Sequence, residues 1–127
     1  MMGLAHGVRA YLVEDNHVIR ANLEDTLKEM TTVVVTGSSG SAFVASDWLG
    51  THEDAWDLAI VDLFLAEGSG LTVLATCRVR RATQKVVVLS NYATRDMRER
   101  CKTFGADAVF DKSTELDAFI DYCLELS

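Results

Sequence analysis

Leu58-Ala59-Ile60-Val61-Asp62 is a run of four apolar residues that delivers a single carboxylate. A run this short, without polar alternation, reads as a strand buried on both faces, as in parallel sheets covered by helices. Three other stretches share the pattern. Tyr11-Leu12-Val13 runs into Glu14-Asp15, Val86-Val87-Val88-Leu89 into Ser90, and Ala108-Val109-Phe110 through Asp111 to Lys112. In an open α/β sheet, ligands bind beyond the carboxyl ends of the strands, where strand order reverses. As parallel strands, these four runs would bring three acids, a hydroxyl and an ammonium to one small site.

Between the runs the pattern changes to helical spacing. Ile19, Leu23, Leu27 and Met30 make the buried stripe of a first helix, opened by the capping residues Asp15-Asn16. Val33-Val34-Val35 reads as a second strand, ended by Gly37-Ser38-Ser39-Gly40. Phe43, Val44, Trp48 and Leu49 suggest a second helix, and Leu71, Leu74, Ala75 and Arg78 a third. Thr94 to Lys102 is a charged fourth helix closed by Gly105, and Leu116, Phe119, Ile120 and Cys123 line a fifth. Five strands alternating with five helices build right-handed β-α-β units, an α/β doubly wound five-stranded parallel sheet. Strand order 2-1-3-4-5 puts the crevice between the first and third strands, which end in Glu14-Asp15 and Asp62.

The chain has 127 residues, 49% of them hydrophobic, without repeat or low-complexity linker, so residues 1–127 are expected to form one domain. Its apolar runs fall far short of the ~18 residues a membrane span needs. Met1 to Gly7 lacks the order of a signal peptide, so a cytoplasmic location is expected. Cys77, Cys101 and Cys123 are widely spaced in helix-like segments and read as thiols, not disulfides or zinc ligands. A formal charge of −7 opposes direct binding to nucleic acid or to anionic membranes. That charge is uneven. Eight of the twelve Lys and Arg residues lie between Arg78 and Lys102, whereas Thr114 to Ser127 carries four acids and no base.

Asp15 and Asp62 across the crevice suit Mg²⁺, which takes one or two carboxylates and keeps several waters; Glu14 would act through a bound water. Carboxylates this close resist ionising together unless a cation is present, and Lys112 is the permanent counter-charge from a neighbouring strand end. The remaining position suits a phosphoryl group. Asp62 is then the nucleophile, Lys112 offsets charge on the equatorial oxygens, and Ser90 hydrogen-bonds one of them. Singly, a strand-end Asp is a turn former, Ser90 a turn residue and Lys112 a solvated charge. Their joint spacing carries the reading.

These residues resemble the receiver domain of bacterial two-component response regulators, from Val8 to about Leu126. The motifs are Val13-Glu14-Asp15-Asn16, Ile60-Val61-Asp62-Leu63, Leu89-Ser90-Asn91, and Gly105-Ala106-Asp107 leading to Asp111-Lys112. The resemblance implies a flavodoxin-like receiver fold with Asp62 as phosphoacceptor, Glu14 and Asp15 as the acidic pair, Ser90 as switch hydroxyl and Lys112 as phosphate-pairing lysine. It adds the backbone carbonyl of Phe64 as a further ligand to Mg²⁺. It implies phosphoryl transfer from a histidine kinase or histidine phosphotransfer protein, then slow self-hydrolysis: a signalling switch and phosphoprotein, not an enzyme acting on other substrates.

The chain departs from that family at several positions. Val109 stands where an aromatic usually swings toward the switch hydroxyl, and Phe110 should face the other side of its strand. Ser113 replaces the proline that usually follows the lysine, so a trans peptide is expected. Phe64 and Tyr92, each two residues after a site residue, are bulky enough to shield an acyl phosphate from water. Val18, off the stripe of the first helix and beside the acidic pair, is a candidate kinase contact with His17, Arg20 and Ala21. The basic fourth helix, with Arg95, Arg98, Arg100 and Lys102, and the acidic last helix, with Asp117, Asp121 and Glu125, suggest a phosphorylation-favoured homodimer. Two rivals stand beside the switch: a phosphate-independent interaction module, and an aspartyl-phosphate phosphohydrolase. The second would want a carboxylate where Phe64 stands. The sequence identifies neither a cognate kinase nor an output partner or domain.

Overall fold

The computed structural model describes residues 7–126. The segment read as lacking signal-peptide order therefore lies, except for Gly7, outside the described residues. Ten elements alternate along the chain: β1 (Val8–Val13), α1 (His17–Met30), β2 (Val33–Ser39), α2 (Ala42–Thr51), β3 (Leu58–Val61), α3 (Gly70–Thr76), β4 (Lys85–Ser90), α4 (Arg95–Thr103), β5 (Ala108–Asp111) and α5 (Leu116–Leu126). All strand pairs are parallel, in the order β2-β1-β3-β4-β5, as the alternation of patterns implied.

The two-residue period of the strands divides the core into two layers. Leu12, Leu58, Ile60, Val87, Leu89 and Phe110 face α1 and α5, where Leu23, Leu27, Phe119 and Cys123 close the layer. Val13, Ala59, Val61, Val86, Val88 and Val109 face α2, α3 and α4. Phe110 and Val109 thus point to opposite faces, as expected, and Phe110 meets Phe119 and Tyr122 edge-on. The three cysteines are buried thiols, none in a disulfide.

Helix starts follow their capping chemistry. Asn16 accepts from the Val18 and Ile19 amides, and Thr94 from Met97. Gly105, at φ +103°, ends α4 with paired bonds from Gly105 N–H to the Lys102 carbonyl and from Ala106 N–H to Cys101, a Schellman arrangement. Gly70 meets a steric demand. A Cβ there would lie 2.3 Å from the Asp62 carbonyl oxygen, so only glycine lets α3 begin directly against the end of β3.

Four local readings are corrected. α3 ends at Thr76 and buries Val73 and Leu74, so Ala75 is exposed and Arg78 lies beyond the helix. β2 runs through Gly37 to Ser39, past its apolar triplet, because it is an edge strand whose outer positions can be polar. Its register shifts opposite Ala10 and Tyr11, and the Tyr11 ring lies over Gly37. Met30 is exposed at the end of α1 and does not complete the stripe. Phe43 and Val44 do sit on a helix, but the residues α2 buries are Ala42, Ala45 and Leu49. Among the described residues no helix is long and apolar enough to cross a membrane.

Candidate functional site

The sheet ladder continues one residue past β1 and β3. Glu14 N–H donates to the Ser39 carbonyl at 3.0 Å, and Asp62 N–H to that of Val13 at 2.9 Å. Both acids are therefore held in line with the strands that carry them. Carboxylate oxygens of Glu14, Asp15 and Asp62 lie within 4.8 Å of one another. Glu14 is 2% exposed and Asp62 8%, so water screens little of their repulsion.

Lys112 answers that charge. Its ammonium pairs with Glu14 Oε1 and lies 3.3 Å from Asp62 Oδ2. Its backbone N–H donates to the Ser90 carbonyl at 3.1 Å, which joins the ends of β4 and β5 beside the acids. The Ser90 side chain is fully buried, and its Oγ accepts from Tyr92 N–H at 3.0 Å. The hydroxyl proton of Ser90 is still available for donation.

Burial pushes the Asp62 carboxyl up to about 6, and the neighbouring Glu14 adds to the rise. The Lys112 ammonium and a hydrogen bond from Phe64 N–H oppose it. A carboxylate that is costly to ionise in the free protein gains by meeting a cation or by being esterified.

All six residues singled out from the sequence stand at this end of the sheet: Glu14, Asp15, Asp62 and Lys112 in one cluster, Ser90 at the end of β4, and Phe64 hydrogen-bonded through its amide to Asp62. The sequence did not show what positions them. Asn16 N–H donates to Glu14 Oε2 at 3.2 Å, and Ala66 N–H to Asp15 Oδ2 at 2.8 Å. Phe64 and Tyr92, both exposed, touch edge to face with ring centroids 4.8 Å apart over the rim. The Lys112-Ser113 peptide is trans, as expected. Val18 is 69% exposed beside the site.

A parallel sheet whose strand ends collect three carboxylates and a lysine defines an acidic, phosphate-compatible α/β module. Comparison with known proteins makes the class specific. The sequence model of the response regulator receiver domain matches residues 10–123, and the chain belongs to that family, the receivers of two-component signal transduction. The cell cycle response regulators CtrA of Brucella ovis and Brucella abortus are 31% identical over 113 residues, covering 89% of this chain and 47% of theirs. The chain spans about half the length of these curated relatives. Among solved structures, the fold is similar to a LuxR-family DNA-binding response regulator of Staphylococcus aureus, with TM-score 0.81, 16% identity, and coverage of 94% of this chain and 98% of that one. It is also similar to the response regulator domain of Thermotoga maritima CheB, with TM-score 0.78, 16% identity, and coverage of 95% and 98%. A Burkholderia pseudomallei response regulator with a phosphorylated aspartic acid, calcium ion and citrate matches with TM-score 0.73 and 22% identity over 92% of this chain and 66% of that one.

Proposed function

We propose that this chain is a single receiver unit that accepts a phosphoryl group on Asp62 in a Mg²⁺-dependent reaction, and that the acyl phosphate changes its binding to partners. The observation that carries this reading is the Lys112 ammonium set between Glu14 and Asp62, two of the three carboxylates clustered at the strand ends. Glu14, Asp15 and Asp62 offer the hard oxygen donors Mg²⁺ takes, and the Phe64 carbonyl is proposed to complete the protein's share. The ion, when bound, supplies positive charge against the phosphoryl oxygens.

The remaining work falls to side chains. An Asp62 oxygen attacks phosphorus as the P–N bond of a phosphohistidine donor breaks, and the imidazole leaves with the bonding pair. Lys112 is already paired to Asp62 and follows the new phosphoryl oxygens without crossing solvent. Ser90, whose Oγ accepts from Tyr92 N–H in the unphosphorylated chain, turns to donate its proton to one of them. The donor is a histidine kinase or histidine phosphotransfer protein, met through the exposed Val18 on α1. The Burkholderia neighbour with its phosphorylated aspartic acid supports this chemistry for the fold. Beyond its own phosphorylation and dephosphorylation, no catalysis is assigned to the chain. A cytoplasmic site of action fits such donors, and the charge of −7 argues against direct contact with nucleic acid.

A phosphorylation-favoured homodimer through α4 and α5 remains part of the proposal, with one revision. Arg98 is bonded to Glu115 and two carbonyls of its own chain, and Arg95 pairs with Glu99 at 3.5 Å, so Arg100 and Lys102 are the exposed bases that α4 would offer to Asp117, Asp121 and Glu125 of a second copy. The test of the central proposal is incubation with a small phosphodonor, with and without Mg²⁺, for wild type and Asp62→Asn. Labelling should need the metal and vanish in the variant; labelling that survives Asp62→Asn would overturn the assignment.

A further inference from the structure

Val109 is 7% exposed and carries no ring, so the hydroxyl-to-aromatic route usual in the family is absent. The two ends of that route are nevertheless joined by another side chain. Arg98 on α4 donates through Nε to the Ala93 carbonyl at 2.8 Å, through one terminal nitrogen to the Val109 carbonyl at 3.1 Å, and through the other to Glu115 Oε1 at 2.5 Å. These acceptors lie on three separate pieces of the fold: the turn after β4, strand β5, and the residue that opens α5. Glu115 Oε1 also accepts from Asp111 N–H at 3.0 Å, and Asp111 Oδ1 accepts from Ser113 N–H at 2.8 Å, so the acceptor of Arg98 is tied into the turn between β5 and α5.

The turn after β4 is the one that Ser90 holds. Ser90 Oγ accepts from Tyr92 N–H, and the next residue, Ala93, offers its carbonyl to Arg98. We propose that Arg98 is a positioning residue that couples Ser90 to the edge formed by β5 and α5, in place of a swinging aromatic. The inference rests on the phosphoacceptor reading of Asp62.

When Ser90 rotates about χ1 to reach a phosphoryl oxygen, its Oγ moves away from Tyr92 N–H, and the turn carrying Ala93 loses that anchor. A guanidinium is a planar fork with donors in fixed directions, so displacing one acceptor misaligns the other two. The motion of a turn therefore reaches Val109 and Glu115 directly. The Arg98 side chain is 33% exposed, so water can replace a lost partner and the two arrangements stay close in free energy. The plain alternative, one more solvated base on a basic helix, does not account for a side chain bonded to three elements at once. The Arg98 hydrogen bond, together with the one from Asp111 N–H, also holds the Glu115 carboxyl below its ordinary value.

The test is the amide spectrum of the ¹⁵N-labelled chain, recorded before and after addition of Mg²⁺ and beryllofluoride, for wild type, Arg98→Met and Glu115→Ala. Arg98→Met keeps the aliphatic stem and removes every donor. Glu115→Ala cuts the same link from its far end and serves if the first variant folds poorly. In wild type, signals near Asp62 and Ser90 and those of Glu115 to Ile120 should both shift. In either variant the response near Asp62 should persist and that of Glu115 to Ile120 should be lost. A distal response of wild-type size in the variants overturns the coupling by Arg98 alone. No response near Asp62 in wild type overturns the phosphoacceptor reading, and the coupling with it.

Discussion

Replacing Asp62 by Asn should stabilise the metal-free protein, although it removes the group proposed to carry its function. Burial and Glu14 raise the Asp62 carboxyl from 3.8 to about 6 in the folded chain. A carboxyl raised in the folded state favours folding fully only below its unfolded value, and that advantage is lost as pH rises through about 6. Above that pH the folded protein carries an ionised Asp62 at a cost of roughly 3 kcal/mol, from about 1.4 kcal/mol for each pH unit. Asn has the same shape and no charge, so Asp62→Asn should gain about 1–3 kcal/mol at neutral pH, with some of the full figure lost because Lys112 gives up one partner. Urea unfolding with a chelator present, at a series of pH values, reads the difference directly. The gain should shrink toward zero as pH falls toward 4, and added Mg²⁺ should narrow it at neutral pH by stabilising wild type. A variant no more stable than wild type at neutral pH, or a gain unchanged at low pH, would refute the electrostatic reasoning.

Lys112→Met should act in the opposite sense, because it leaves Glu14 and Asp62 facing each other under cover. Breaking a buried pair from one side costs about 3–5 kcal/mol, and a lowered urea midpoint that Mg²⁺ partly restores would show it. Phe64→Asn and Tyr92→Glu each remove one ring of the pair over the rim, and the phosphorylated lifetime should shorten in both; an unchanged lifetime would remove the shielding role. Sedimentation of the beryllofluoride-bound form should show a dimer that weakens with salt, as screening acts on the exposed charges of α4 and α5. A strictly monomeric species at every concentration would remove that interface.

The inner strands β3 and β4 and the apolar end of β1 are readable because they are apolar on both faces, a pattern that parallel burial requires and few other settings produce. The site followed from them, since Glu14, Asp15, Asp62 and Lys112 stand just past the ends of such runs, where backbone geometry fixes their meeting point. The apolar triplet of β2 marks only its first half for the complementary reason: at an edge, Gly37, Ser38 and Ser39 pair through the backbone without needing apolar side chains. Arg98 was not readable as a coupling residue. Helical spacing gives the face of a residue, but the acceptors of Arg98 stand 5, 11 and 17 residues away, two of them backbone carbonyls that no residue type announces. The Phe64–Tyr92 contact was hidden similarly, because each ring was visible in sequence while the approach of the two loops is a tertiary fact.

The most direct measurement is the location of the covalent phosphorus. The chain would be phosphorylated by a small donor with Mg²⁺, trapped by borohydride reduction and mapped by peptide mass spectrometry. Modification confined to Asp62 is the expected result. Modification at Glu14, Asp15 or a residue outside the acidic cluster, with Asp62 intact, would contradict it.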